Sequence, residues 1–129
     1  MINYIRNKNL KILHISTFDE KNDHRLFNIS IANKLTKGFI RNNHDVVNFS
    51  YRDFTSKSLI RSNDALNSKI YNISKNYRPD LILLGHNNIL NRNTMEKIKS
   101  SNSTKIALWY EDHLIYGGPN YINNLNLIE

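Results

Sequence analysis

Four short apolar runs punctuate the chain: Lys11–Ser16 (KILHIS), Asp45–Ser50 (DVVNFS), Leu81–Gly85 (LILLG) and Lys105–Tyr110 (KIALWY). Runs of this length, rich in branched and aromatic residues, read as β-strands. The segments between them have helical periodicity instead. Phe27, Ile31, Leu35 and Phe39 recur every four residues, with Ile29, Ala32 and Ile40 on the adjoining rows, which predicts an amphipathic helix over Arg25–Asn42 capped by Asp23. Leu66, Ile70, Ile73 and Tyr77 predict a second helix over Asn63–Asn76 that stops before Pro79. Asn91–Ser101, with Met95 and Ile98 inward, predicts a third. Strands alternating with helices connect by right-handed crossovers, so the expected fold is α/β: a Rossmann-like open parallel sheet in a three-layer α/β/α arrangement. LILLG, with four consecutive apolar residues, suits a central strand buried on both faces.

A length of 129 residues allows one domain, expected over residues 11–129 behind a frayed terminus at residues 1–10. A further apolar pattern starts in Tyr121–Glu129, where fifth and sixth strands are expected to follow, so the chain reads as an incomplete half of a larger architecture. No stretch approaches the roughly 20 apolar residues that span a bilayer, and Met1–Lys11 lacks a signal-peptide core. A cytoplasmic location is the expectation. With no cysteine there is no disulfide, thiolate–zinc site or thiol nucleophile. The formal charge of +7 suits phosphate-rich partners or an anionic membrane surface. Its cations are scattered, however, without the basic stripe that nucleic-acid binding needs, and no nucleic-acid partner is expected.

In open parallel sheets, ligands bind outside the carboxyl ends of the strands where strand order reverses. The loop after the first strand, Thr17-Phe18-Asp19-Glu20-Lys21-Asn22-Asp23-His24-Arg25, has no glycine, so its backbone cannot cradle a pyrophosphate as a GxGxxG turn does. It crowds Asp23 and His24 near a helix start. A carboxylate beside an imidazole makes a base for a hydroxyl proton, although a helix cap among solvated neighbours accounts for the same residues. After the third strand, Gly85 permits a tight exit and His86 and Asn87 offer imidazole and amide groups to the ligand edge. After the fourth, Trp109 and Tyr110 stand next to Glu111, Asp112 and His113. Rings that stack on sugar faces beside carboxylates that accept hydroxyl hydrogen bonds suit a carbohydrate or polyol, while a tryptophan closing the core is the simpler account. His14 reads as a packed core residue and His44 as a turn residue. Neither has metal-ligand spacing, and no metal is expected.

The run LHISTFDEKNDHRLFNISIANKLTKGFIRNNHDVVNFSYRD, followed by RPDLILLGHNN and KIALWYEDH, resembles the amino-terminal domain of GT-B glycosyltransferases, and among them the spore-maturation-protein-like, family 1-type group. The resemblance spans Lys11–Asn124. It implies two Rossmann-like domains, with the nucleotide-sugar donor held by a carboxyl-terminal domain absent here and a sugar or lipid-linked acceptor held by this one. It places Asp23 and His24 where an acceptor-activating base belongs, and Thr17, His86, Asn87, Trp109, Asp112 and His113 at the interdomain cleft. It implies no cofactor in this chain beyond that donor, and peripheral contact with an anionic membrane at its inner face. Two other readings compete: a flavodoxin- or receiver-like module, although Gly85-His86-Asn87 stands where a receiver has its phosphoacceptor aspartate, and a basic nucleic-acid-binding protein.

Overall fold

The computed structural model describes residues 8–18, 30–57, 62–85, 89–110 and 124–128. They form a four-stranded, all-parallel sheet with the order β2-β1-β3-β4. The strands are β1 (Lys11–Ser16), β2 (Asp45–Ser50), β3 (Leu81–Gly85) and β4 (Lys105–Trp109). The two central strands are buried almost throughout, whereas β2 and β4 at the edges are half-buried. The continuous apolar run in β3 has the origin expected of it, since a central strand is covered on both faces.

Parallel register sorts the side chains. His14 lies opposite Asn48 and Leu83, and Leu83 opposite Ala107, so these residues share one face. Leu13, Ile15, Ile82, Leu84 and Ile106 share the other, where they form the main core with Leu66, Ile70, Met95 and Ile98. The last four come from two helices, α3 (Asn63–Tyr77) and α4 (Arg92–Ser101). α1 (Ile31–Arg41) covers the His14 face, where its Thr36 hydroxyl lies 2.9 Å from His14 Nδ1.

α1, α3 and α4 each start where a side chain can take up free backbone N–H groups. Ser62 Oγ accepts from Ala65 N at 3.1 Å, and Asn91 Oδ1 accepts from Thr94 N at 2.9 Å. α1 is capped by Ser30, whose hydroxyl accepts from Asn33 N, and not by Asp23. Its inward side also differs from the sequence reading. Ala32, Asn33 and Thr36 are buried, while Ile31 is 43% exposed. The strands beneath present His14 and Asn48, so the helix turns its small, hydrogen-bonding stripe toward them. α3 ends at Arg78, in the left-handed conformation at φ 51°, just ahead of Pro79.

A seven-residue helix, α2 (Tyr51–Lys57), was not expected, because it follows β2 without a loop and is too short for a periodic signal. Phe54 packs on Phe49 of β2 with ring centroids 5.9 Å apart. In the apolar pattern near the end of the chain, the described residues 124–128 hold a 3-10 turn at Leu125–Leu127, and Leu127 and Ile128 pack against the core. Leu10, read as the end of a frayed terminus, donates its N–H to His44 Nδ1 at 3.2 Å and accepts from Asp45 N at 2.9 Å. Asp80 accepts from Lys11 N at 2.9 Å, a bond that holds its carboxyl below the usual carboxylate range.

Candidate functional site

The order β2-β1-β3-β4 reverses direction between β1 and β3, and in open parallel sheets ligands bind at such a point, here where Ser16 leads into Thr17 and where Gly85 ends β3. Ser16 is buried and its Oγ donates to Gly85 O at 3.3 Å. A Cβ at Gly85 would meet Ser16 Oγ at 2.5 Å, Ser16 Cβ at 2.8 Å and His14 Nε2 at 3.5 Å. Glycine is therefore required here by the close approach of β1 side chains. In register, Gly85 faces Trp109 across β3 and β4, which puts the half-buried indole on the Ser16 face of the sheet.

Phe18 closes the β1 side. It is 1% exposed, its N–H donates to Ser50 Oγ at 3.4 Å, and its carbonyl accepts from Asn33 Nδ2 at 3.3 Å. Its ring meets the imidazole of His14 edge-on at 5.0 Å. Beneath it runs a chain of polar contacts, from the buried His14 and Thr36 to the exposed Asn48. Thr36 Oγ1 donates to Asn48 Oδ1 at 2.8 Å, so its single proton is committed. The contact between Thr36 Oγ1 and His14 Nδ1 then needs Nδ1 to donate, leaving the lone pair on Nε2. Nε2 is buried with no hydrogen-bond partner. Burial without a counter-charge pushes the His14 imidazole down to about 4, so it is neutral at physiological pH.

Of the residues singled out in the sequence, Thr17 and Trp109 fall at this edge: Thr17, half-buried, directly follows β1, and Trp109 ends β4 two strands away. Asp23, His24, His86, Asn87, Asp112 and His113 lie outside the described residues. His14 is the packed core residue expected, fully buried, and His44 is in the turn before β2. The sequence reading missed the polar chain around His14 and the Ser16–Gly85 contact. A signal existed: His14 and Ser16 alternate along β1 in step with Asn48 and Ser50 along β2.

A polar groove of about 240 Å³ separates the amino-terminal halves of α3 and α4 on the opposite face. Asn67 is buried along it, donating to Asn63 O and Ile89 O and accepting from Asn91 N, all at 2.9 Å. Those bonds tie the groove's own walls together. Among the described residues no three His, Asp or Glu side chains cluster to hold a metal ion, and no helix is long and apolar enough to cross a membrane. No protein-family model, curated protein or solved structure matches the chain.

Proposed function

We propose that the protein is the acceptor-side domain of a glycosyltransferase that moves a sugar from a nucleotide-sugar donor to a hydroxyl acceptor. The observation that carries this reading is the carboxyl edge of the sheet, where the half-buried Trp109 stands beside Gly85 and Thr17 follows β1 at the strand-order reversal. An aromatic face at that edge suits the stacking of a sugar ring. The glycine-free loop after β1 suits an acceptor better than a pyrophosphate. In the complete enzyme, His24, oriented by Asp23, takes the acceptor's hydroxyl proton. The acceptor oxygen bonds to the anomeric carbon, and the diphosphate leaves with the electron pair of the broken bond. His86, Asn87, Asp112 and His113 supply polar contacts along the same edge, and a second domain holds the donor.

Trp109, the single tryptophan, gives the test a built-in reporter. Titration of the protein with hexoses, disaccharides and polyols is expected to shift its emission saturably, and Thr17→Val to weaken the response. Uridine diphosphate is expected to leave it unchanged. A response to the nucleotide alone, or to no carbohydrate, sinks the reading.

A further inference from the structure

The polar groove between α3 and α4 has fixed walls and an unengaged lining. Asn67 uses all its amide groups, and through Ile89 O and Asn91 N it locks the start of α4 against the side of α3. Both helix starts are already capped, by Ser62 and Asn91. The side chains of Asp64, Ser68, Tyr71, Asn93 and Lys97 also line the groove, and among the described residues none of them makes a hydrogen bond or ion pair. Thr94 lines it too, 7% exposed, with its hydroxyl equally unbonded. The other charges of α4 are engaged: Arg92 pairs with Glu96 at 2.8 Å, and Lys99 donates to Leu127 O. Within their own helices, neither Asp64 nor Lys97 has an opposite charge three or four positions away. α3 and α4 run the same way, since each leads into a strand of the parallel sheet. Asp64 stands three residues before Asn67, and Lys97 six residues after its partner Asn91. At 1.5 Å per residue these are steps of about 4.5 Å one way and about 9 Å the other, so the two charges stand toward opposite ends of the groove.

We propose that this groove binds a small zwitterion of the amino-acid type, with its ammonium at Asp64 and its carboxylate at Lys97. A phosphate would meet the Asp64 carboxylate and two helix starts whose caps are in place. A metal ion would find one carboxylate and an ammonium. A neutral polyol would leave both charges without a counter-charge. A zwitterion satisfies the two charges at once, and its remaining polar groups meet the Asn93 amide and the hydroxyls of Ser68 and Thr94. Tyr71, half-buried and packed on the core, offers a ring to an apolar side chain. A volume of about 240 Å³ is below the roughly 300–1,000 Å³ of sites for drug-sized ligands, which limits the occupant to a free amino acid or a dipeptide. Walls held in advance by Asn67 lower the ordering cost of binding. Because Asp64 and Lys97 are exposed, binding is weak and sensitive to salt.

Calorimetric titration of the full chain with alanine and with alanylalanine, each also acetylated at its amino end or amidated at its carboxyl end, tests the proposal. Saturable binding is expected for the unblocked compounds, weakened about fivefold by blocking either end. Tighter binding of alanylalanine assigns a peptide as the ligand, and equal or tighter binding of alanine assigns a free amino acid. Asp64→Asn is expected to lower affinity by a similar factor and to erase the effect of acetylation, and Lys97→Gln to erase the effect of amidation. Both side chains are exposed and bonded to nothing among the described residues, so an unchanged urea midpoint shows that the variants fold. Lys97→Gln carries the test alone if Asp64→Asn disturbs the start of α3. Absence of binding at millimolar concentration overturns the proposal, as does binding indifferent to the blocked ends or to Lys97→Gln. So does equal binding of sorbitol or inorganic phosphate. The emission of Trp109 with sugars reads the carboxyl edge of the sheet and needs neither Asp64 nor Lys97, so this proposal and the acceptor reading fail separately.

Discussion

The two faces of the sheet are built from the same four strands and are held by different physics. On one face, Leu13, Ile15, Ile82, Leu84 and Ile106 meet Leu66 and Ile70 of α3 and Met95 and Ile98 of α4, a contact made by apolar side chains. Its stabilisation scales with buried area and is indifferent to pH. On the other face, His14 and Ser16 of β1 stand opposite Asn48 and Ser50 of β2, and α1 is joined to them through His14, Thr36 and Asn48. Hydrogen bonds contribute less net stability than burial, and they penalise misplacement heavily, because a buried polar atom without a partner costs more than a partnered one contributes. The apolar face therefore fixes the fold, and the polar face fixes the positions of Ser16, Gly85 and Phe18 at the carboxyl edge.

The strongest way to break this comparison is to truncate one side chain on the apolar face. Ile82 is fully buried in the central strand β3. Ile82→Ala is expected to cost about 2–5 kcal/mol, read from urea denaturation at neutral pH, and the loss should be the same at any pH where the protein folds. A loss under about 1 kcal/mol would mean that this face is not the main source of stability.

The polar face should respond to acid where the apolar face does not. His14 is depressed from 6.5 to about 4 in the folded state, so between those values the unfolded chain binds the proton and the folded protein does not. Stability from this group is complete above pH 6.5 and is lost as pH falls toward 4, for a total of about 3 kcal/mol. Denaturation followed from neutral pH down to about 5, above most carboxylate titration, should show the decline in the parent and in Ile82→Ala, and a flatter profile in His14→Leu. An equal slope in His14→Leu would remove the imidazole as the cause.

Much of the apolar face was legible in the sequence and much of the polar face was not. Strand β3 and the inward side of α4 follow from local periodicity, because a uniformly apolar environment writes itself into every residue that faces it. α1 misled because its periodic apolar row, through Ile31, Leu35 and Phe39, is not its most buried one: the helix answers to His14 and Asn48, residues distant in sequence. α1 starts later than its apolar periodicity suggests and is capped by Ser30, since a cap is set by where the backbone begins to turn, while Asp23 lies outside the described residues. The positions of Thr17 after β1 and of Trp109 at the end of β4 were legible from the strand ends alone. The contact that excludes a side chain at Gly85 depends on the register between β1 and β3, which no single segment encodes.

That contact gives a sharper comparison of the two sides. Gly85→Ala places a Cβ 2.5 Å from Ser16 Oγ, and the resulting strain is expected to cost about 1–3 kcal/mol. Ser16→Gly removes both nearest atoms, so the double variant should recover most of the loss made by Gly85→Ala. Additive losses in a double-mutant cycle would show that the crowding is not between these residues.

The smallest expected effect compares the helix caps across the sheet. Ser62 caps α3 on the apolar side and accepts one bond, from Ala65 N at 3.1 Å. Ser30 caps α1 on the polar side and accepts two, from Asn33 N at 3.3 Å and from Asn33 Nδ2 at 2.8 Å. Ser62→Ala is expected to cost about 1 kcal/mol, the ordinary loss of a cap. Ser30→Ala loses the same cap and also the 2.8 Å bond to the amide of the buried Asn33, whose Nδ2 donates as well to Phe18 O at 3.3 Å. Its loss should therefore exceed that of Ser62→Ala, and Asn33→Ala in the Ser30→Ala background should cost less than Asn33→Ala alone. Equal losses for the two serines would mean that the amide finds water when Ser30 is gone, and that the polar face is less sealed at the Phe18 end than at His14.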